Sequence, residues 1–478
     1  LPGGNGACAA AHAPAKTRAQ QGRRRDMMSE PKADAPNLGI WTVVLASSAG
    51  TIIEWYDFYL YGSLAVFFST LFYPANDPTA AVLISVATFA TGFVIRPFGA
   101  ILFGSLGDRL GRKHTFLLTL ILMGIATTAV GLLPTYASIG FAAPVALVVL
   151  RLVQGLAIGG EYGGAAIYVA EHAPANRRGF FTSFIQTTAT LGFFVAILVV
   201  LACRLSLGEE AFRAWGWRIP FLLSALLVVI SIYLRLKLSE SPVFAQMRQA
   251  GKVSRAPVRE SFGTRQGLGY ALYALFGATA GLGCVWYTGQ FYALYFLQSV
   301  LKVDFLTANV CVAVALAIGT PLIVVSGALS DRIGRRPLIV TGLLLAAALY
   351  VPIYMGIASA AAAHNYVAVT ALILAQLIFV ALVYGPNAAF LVELFPARLR
   401  YTSLSLPYHI GTGIFGGFVP LISLSLVSYT GNIYAGLIYP IAIALMTAAV
   451  NVLCLPKSVA VDLSSEFGRT PAAGRQIA

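Results

Sequence analysis

Five ionisable side chains, Glu54, Asp57, Arg96, Arg151 and Glu161, fall inside long apolar runs of the chain. A charge at the centre of a bilayer costs about 2.5–3.5 kcal/mol on insertion scales, so such residues face a cavity or a partner and mark ion and substrate paths. Glu54 and Asp57 are three apart and share one face of a helix. At ~1.5 Å per residue, Glu54 lies roughly 22 Å into its helix, near mid-membrane. Two carboxylates this close in a poorly solvated cavity cannot both ionise cheaply, the property a proton carrier needs. The spacing does not separate the two. Arg96 and Arg151 are fixed positive charges suited to holding a substrate carboxylate through a bidentate fork. Two alternatives stand beside this reading: a permanent ion pair of Arg151 with the acidic pair, and one of Arg96 with Glu161. Further polar and aromatic residues complete a substrate site on three later helices. These are Tyr287 and Gln290, Tyr384 and Asn387, and Tyr408 with His409, a second titrating group. Plain helix packing is the competing role for each aromatic.

The elements that must carry these residues are membrane helices. The chain has 478 residues, 58% of them hydrophobic and only 10% charged, with a mean hydropathy of +0.80. Soluble domains average about 25% charged residues, so this composition belongs to an integral membrane protein. The apolar runs are long enough to cross a hydrocarbon core of roughly 30 Å as helices, and the short alternating segments of a membrane barrel are missing. Twelve helices are expected, at 39–69, 80–103, 116–135, 142–171, 180–204 and 217–237, then 268–298, 306–328, 338–357, 366–394, 402–428 and 431–455. They group into a six-helix unit at 39–237, a basic linker at 238–267 and a second six-helix unit at 268–455. A disordered tail at 1–38 and another tail at 456–478 complete the chain. Residues 1–26 are rich in Gly, Ala and Arg, and Met27-Met28 resembles a true start, so the expectation is that 1–26 are either upstream translation or disordered tail.

The net charge of +14 invites a nucleic-acid reading, but the position of the charges excludes it. Arg204, Arg213, Arg218 and Lys302 fall on one side of the twelve-helix arrangement, and Arg96 and Arg151 fall within it. All the other Lys and Arg lie in the tails and the even-numbered turns. That asymmetry places both termini in the cytoplasm. Trp41, Trp215 and Trp217 are read as interfacial anchors. The five cysteines show no metal-ligand spacing, and no nucleotide loop, HExxH or Ser/His/Asp grouping is present, so no cofactor, metal or enzyme activity is expected. Glycines at 159, 160, 163 and 164, and at 411, 413, 416 and 417, form smooth strips for close helix packing.

Two phrases occur twice. GSLGDRLGRK at 104–113 returns as GALSDRIGRR at 327–336, and Glu171-His-Ala-Pro174 with Arg178 returns as Glu393-Leu-Phe-Pro396 with Arg400. Two matches at nearly one separation mean two copies of a single membrane unit, the internal symmetry on which transporters are built.

The doubled GxxxDRxGRK phrase resembles the signature loop of the major facilitator superfamily. The likeness narrows through Glu54-Trp-Tyr-Asp57-Phe-Tyr-Leu-Tyr-Gly62, Arg96-Pro97-Phe-Gly99, Arg151-Leu-Val-Gln154-Gly155, Gly159-Gly160-Glu161-Tyr-Gly163-Gly164, Trp215-Gly-Trp217-Arg218-Ile-Pro220 and Glu240-Ser-Pro242. Together these resemble the metabolite:proton symporters, the branch holding shikimate, α-ketoglutarate, citrate and proline/betaine carriers. The resemblance implies two pseudo-symmetric six-helix bundles that rock about one central cavity, with the loops as cytoplasmic latches. One latch would use Asp108, Arg112, Glu171 and Arg178, and the other Asp331, Arg335, Glu393 and Arg400, with Arg109 and Arg332 beside them. A monomeric secondary transporter of the bacterial cytoplasmic membrane follows, taking up a small organic acid or zwitterion with protons. An uncoupled or sugar-type carrier of the same superfamily and a transport-dead nutrient sensor are the alternatives.

Overall fold

The computed structural model describes residues 39–73, 77–110, 112–160, 162–236, 249, 254, 256–397 and 399–454. The expected tails, most of the 238–267 linker and Glu161 lie outside the described residues, as do the side chains of Asp108, Arg109 and Arg112. Long helices carry nearly everything else. In chain order they are α1 (Ile40–Ser63), α2 (Pro78–Val94, continued by Arg96–Leu110), α3 (Arg112–Leu132), α4 (Ala142–Ile158, continued by Tyr162–His172), α5 (Arg178–Leu207) and α6 (Ile219–Leu236). The second set is α7 (Arg265–Val300), α8 (Phe305–Ile333), α9 (Arg335–Ala362), α10 (Tyr366–Leu394), α11 (Arg400–Thr430) and α12 (Ile438–Leu453). Among the described residues ten helices are long and apolar enough to cross a membrane, and α1 and the apolar stretch Leu117–Leu132 of α3 complete twelve.

Large apolar side chains stay exposed along these helices, among them Phe98, Ile125, Val229, Ile318 and Val367. In water so large an exposed apolar surface would drive aggregation; in a bilayer it is the surface that meets lipid. The ends are set by ordinary caps. The Asp77, Asp304 and Asn365 side chains accept the backbone N–H of Thr79, Thr307 and Ala368. Pro78 fits the first turn of α2, where its missing N–H is no loss.

Several helices are interrupted where function requires shape. Helix α1 stops at Ser63 and a separate turn, Ala65–Phe72, follows, where one continuous helix to residue 69 was expected. Helix α2 breaks at Ile95, just before Arg96-Pro97, because proline can neither donate to the preceding turn nor sit inside it without displacement. Helices α7 and α11 carry π-turns at Leu275–Thr279, Thr288–Tyr292, Phe296–Val300 and Ile410–Gly416. Nothing in their residue pattern announces these; they arise where neighbours force an extra residue into a turn.

Packing crosses between the two sequence repeats. Helix α5 lies against α8 and α10, α2 lies against α11, and the aromatic face of α1 meets α7. Small residues make the tightest approaches possible. A Cβ on Gly99 would lie 2.2 Å from the Leu156 carbonyl oxygen, and one on Gly159 would lie 2.4 Å from that of Arg96. Backbone contact of α2 with α4 therefore fixes where Arg96 leaves its helix. Trp41 meets Phe180, Phe181 and Phe184 edge-on and stays half exposed, as does Trp215. Trp217 is not an interfacial anchor. It is fully buried against Phe68, Phe72 and Phe221, because the 3-10 turn Gly216–Arg218 tucks it inward.

Candidate functional site

The middle of the molecule is a buried aromatic and polar centre. Trp55 and Tyr59 on α1 stack at 4.9 Å, and Tyr59 stacks in turn on Trp286 of α7 at 5.1 Å. The Tyr59 hydroxyl lies 3.2 Å from that of Tyr287. Between these helices and α2 and α4 stands Phe58, with a guanidinium 4.2 Å from its centroid from each of Arg96 and Arg151. Both arginines are fully buried, but they are held differently. Arg151 donates to the Phe58 carbonyl at 3.1 Å and to Gln154 Oε1 at 2.7 Å, and Gln154 passes the chain on to Thr127 at 2.8 Å. Arg96 sits against the rings of Phe58, Phe93 and Trp55, and none of its three guanidinium nitrogens finds a hydrogen-bond acceptor among the described residues. It lies close enough to Tyr59, Tyr287, Tyr384 and His409 to act on them electrostatically.

Other polar groups around this centre are also buried. Gln290 offers Nε2 to Thr190 at 3.4 Å, while its Oε1 has no partner. Trp286 Nε1 donates to the same Thr190 at 3.2 Å. His409 and Asn387 are fully buried, with neither ring nitrogen nor either amide atom partnered among the described residues. Tyr384 lies 3.4 Å, hydroxyl to hydroxyl, from Tyr408, which stacks on Tyr162 at 3.5 Å. Tyr162 donates to Gln186, and Gln186 donates to the Tyr384 carbonyl, joining α4, α5 and α10.

The two acidic residues of α1 differ in their surroundings. Trp55 and Tyr59 define the face of α1 that meets α7. At about 100° per residue, Asp57 lies roughly 200° from Trp55, on the far side of α1. There it is fully buried near Ser224 of α6, with neither carboxylate oxygen hydrogen-bonded among the described residues. Glu54 is buried too, one turn before Phe58 on the face toward the arginines, and it is partnered. On the same geometry Glu54 is about 40° from Phe58 and Asp57 about 100° from it. The alternative of an Arg151 ion pair fails, since its acceptors are an amide and a carbonyl.

The end of the molecule that carries the repeated loops is closed by charge. The Asp331 carboxylate accepts both the Gly179 and Phe180 backbone N–H, each at 2.8 Å, capping α5 from the opposite repeat. Arg335 bridges Asp331 at 2.6 Å and Glu393 at 3.1 Å. Arg400 does not join that cluster as expected. It lies 3.4 Å from Glu171, with both side chains almost wholly buried, and so links α11 to α4. Arg178 is partnered and Arg332 is exposed. Tyr401 adds a hydrogen bond to the Gly160 carbonyl. The other end is closed by rings: Phe291 packs on Phe193 at 4.0 Å, on Tyr59 at 5.0 Å and on Phe89 at 5.2 Å, and Tyr295 donates to the Gly62 carbonyl at 2.6 Å. Sequence reading missed Phe58, Thr190, Gln186 and Tyr162. The glutamine inside the apolar run of α5 was the one available signal.

Twelve apolar helices, a polar centre closed at both ends and loop-borne carboxylate–arginine contacts define a membrane carrier of the major facilitator type, not an enzyme. The sugar (and other) transporter family matches residues 42–266 and again residues 249–465, and the chain belongs to that family. The inner membrane metabolite transport protein YhjE of Escherichia coli is 39% identical over 80% of this chain and 86% of its own. The shikimate transporter of Escherichia coli is 35% identical over 86% and 93%. Among solved structures, the Escherichia coli xylose transporter XylE in a partially occluded inward-open conformation superposes with a TM-score of 0.64. It shares 19% identity over 87% of this chain and 98% of that one.

Proposed function

We propose that the chain is a proton-coupled symporter of the bacterial inner membrane that takes up a small organic acid or zwitterion by alternating access. The observation that carries this reading is the pair of buried arginines on the Phe58 ring, with the buried Glu54 one helical turn before Phe58. A carrier needs a titrating group beside its cargo so that loading one favours loading the other, and a group that faces the centre serves better than one turned away. Glu54 is therefore the proton site. Asp57, turned toward α6, tunes the packing of α1. The loop-bearing end is cytoplasmic, since the basic residues collect there. The units at 39–237 and 268–455 rock about the centre, with Asp331, Arg335, Glu393, Glu171 and Arg400 as the inner latch. Asp108, Arg109, Arg112, Arg178 and Arg332 extend that latch around the same end.

The test is uptake into reconstituted vesicles with and without a pH gradient, inside alkaline. Wild-type protein should accumulate substrate only with the gradient. Glu54→Gln should lose accumulation but keep exchange of internal for external substrate, which needs no net proton movement. Gradient-independent accumulation, or full accumulation by Glu54→Gln, would sink the coupling role.

A further inference from the structure

We infer that the central site is an anion site whose principal contact is Arg96, selecting a monocarboxylate whose remainder is uncharged and hydrogen-bonding, and rejecting zwitterions and neutral sugars. This deepens the reading above, because it rests on the centre being where cargo binds.

The first ground is the difference between the two arginines. Arg151 gives its Nη1 to a carbonyl and an amide acceptor, with Nε and Nη2 unpartnered among the described residues, and belongs to a chain that ends on Thr127 of α3. Arg96 has three ring faces and no acceptor among the described residues. Rings offset part of the cost of burying a cation, but they accept no N–H in the guanidinium plane. A buried charge with unmade hydrogen bonds is among the most costly features a fold can hold. A carboxylate arriving in that plane neutralises the charge and takes two N–H groups at once. A neutral sugar supplies acceptors but leaves the charge in place.

The second ground is that, among the described residues, no carboxylate on α1 stands ready for a positive charge. Of the two described carboxylates on α1, Asp57 lies on the far side of the helix and Glu54 is already partnered. An ammonium could instead use an open aromatic face. Many faces here already have a neighbour: Trp55 stacks on Tyr59, Tyr59 on Trp286, Phe291 on Phe193 and Tyr162 on Tyr408, and Phe58 and Phe93 meet Arg96 itself. The positive charge of Arg96 would further repel the cationic end of a betaine held nearby.

The third ground is the chemistry of what remains. Gln290 Oε1, both amide atoms of Asn387 and both nitrogens of His409 are buried and unpartnered among the described residues. All are neutral or readily so, and each matches a hydroxyl or oxo group. Sites built on buried hydrogen-bonding groups reject ligands that leave them unpaired far more sharply than apolar pockets reject a wrong shape.

The experiment is ligand-induced thermal stabilisation of the purified full-length protein, with no membrane and no gradient. Shikimate, quinate and gluconate serve as monocarboxylate probes, set against methyl shikimate, proline, glycine betaine and xylose. At least one acid should raise the melting temperature saturably, and none of the other four should. Arg96→Gln should cost that acid at least about tenfold in affinity, and Arg96→Lys, which keeps the charge but loses the fork, should fall between. The acid–ester comparison needs no variant, so a misfolded substitution leaves the test intact. Failure of all three acids, equal binding of the methyl ester, binding of betaine or xylose as tight as that of the acid, or wild-type affinity in Arg96→Gln would each overturn the proposal. Acid binding without gradient-driven uptake would remove the symport reading and leave this one standing. Gradient-driven betaine uptake with no acid binding would do the reverse.

Discussion

The two ends of the molecule close the same centre with opposite chemistry. At the loop-bearing end, Asp331 caps α5, Arg335 joins Asp331 to Glu393, and Glu171 meets Arg400. At the other end, Phe291, Phe193, Tyr59 and Phe89 fill the gap with ring surface, and a single hydroxyl ties Tyr295 to Gly62. Directional contacts between charged groups form or fail as a set, so the first end suits a latch with two positions. Ring packing is short-ranged but tolerant of sliding, so the second suits a plug that re-forms around cargo of varying shape. The internal repeat therefore does not produce two equal gates.

The sharpest way to break this comparison is to prevent each closure separately. A Cβ on Gly62 would lie 2.6 Å from Phe291, and a Cβ on Gly179 would lie 2.5 Å from the Gly327 carbonyl oxygen. Gly62→Leu should hold the plug end open and Gly179→Leu the latch end, each abolishing uptake. Single cysteines in a cysteine-free background report the result, Ser63→Cys on the plug side and Ser405→Cys on the latch side. Each lock should speed labelling on its own side only. Labelling that rises on both sides, or on neither, would show that the two closures are not separate.

A smaller effect is expected from the buried pair. Glu171→Ala takes its carboxylate from the fully buried Arg400, a loss of about 3–5 kcal/mol by comparison with other buried pairs. The melting temperature should drop, and a matching drop in Arg400→Ala without further loss in the double variant would establish the coupling. Additive losses would mean that the two side chains act independently. Smallest is Asp331→Asn, which keeps an acceptor at the start of α5 but removes the charge there and opposite Arg335. About 1 kcal/mol of latch stability should be lost, which raises Ser405→Cys labelling roughly fivefold. Unchanged labelling would mean that the cap contributes no closure.

Much of the fold could be read along the chain. Helix α10 was expected at 366–394 and runs Tyr366–Leu394, because an uninterrupted apolar run with a capping Asn365 leaves few alternatives. The break at Arg96-Pro97 was equally legible, since a proline inside a helix acts locally. The π-turns of α7 and α11 and the inward turn of Trp217 were not, because each depends on what packs against it. In the site, Arg96, Gln290, Asn387 and His409 stood out as polar groups in apolar surroundings. Phe58 did not, since an aromatic ring on a membrane helix looks the same whether it meets lipid or two guanidinium groups.

By itself the sequence determined that this is a doubled bundle of membrane helices with stranded charges, because hydropathy, charge asymmetry and repetition are properties of the chain alone. Tertiary structure decided what those charges are. Asp57 is buried near Ser224 of α6 with no partner among the described residues, whereas Glu54 has one. The approach of α1 to α4 brought the Phe58 carbonyl to Arg151, while Arg96 meets rings and finds no acceptor among the described residues, a distinction that depends on which neighbours arrive.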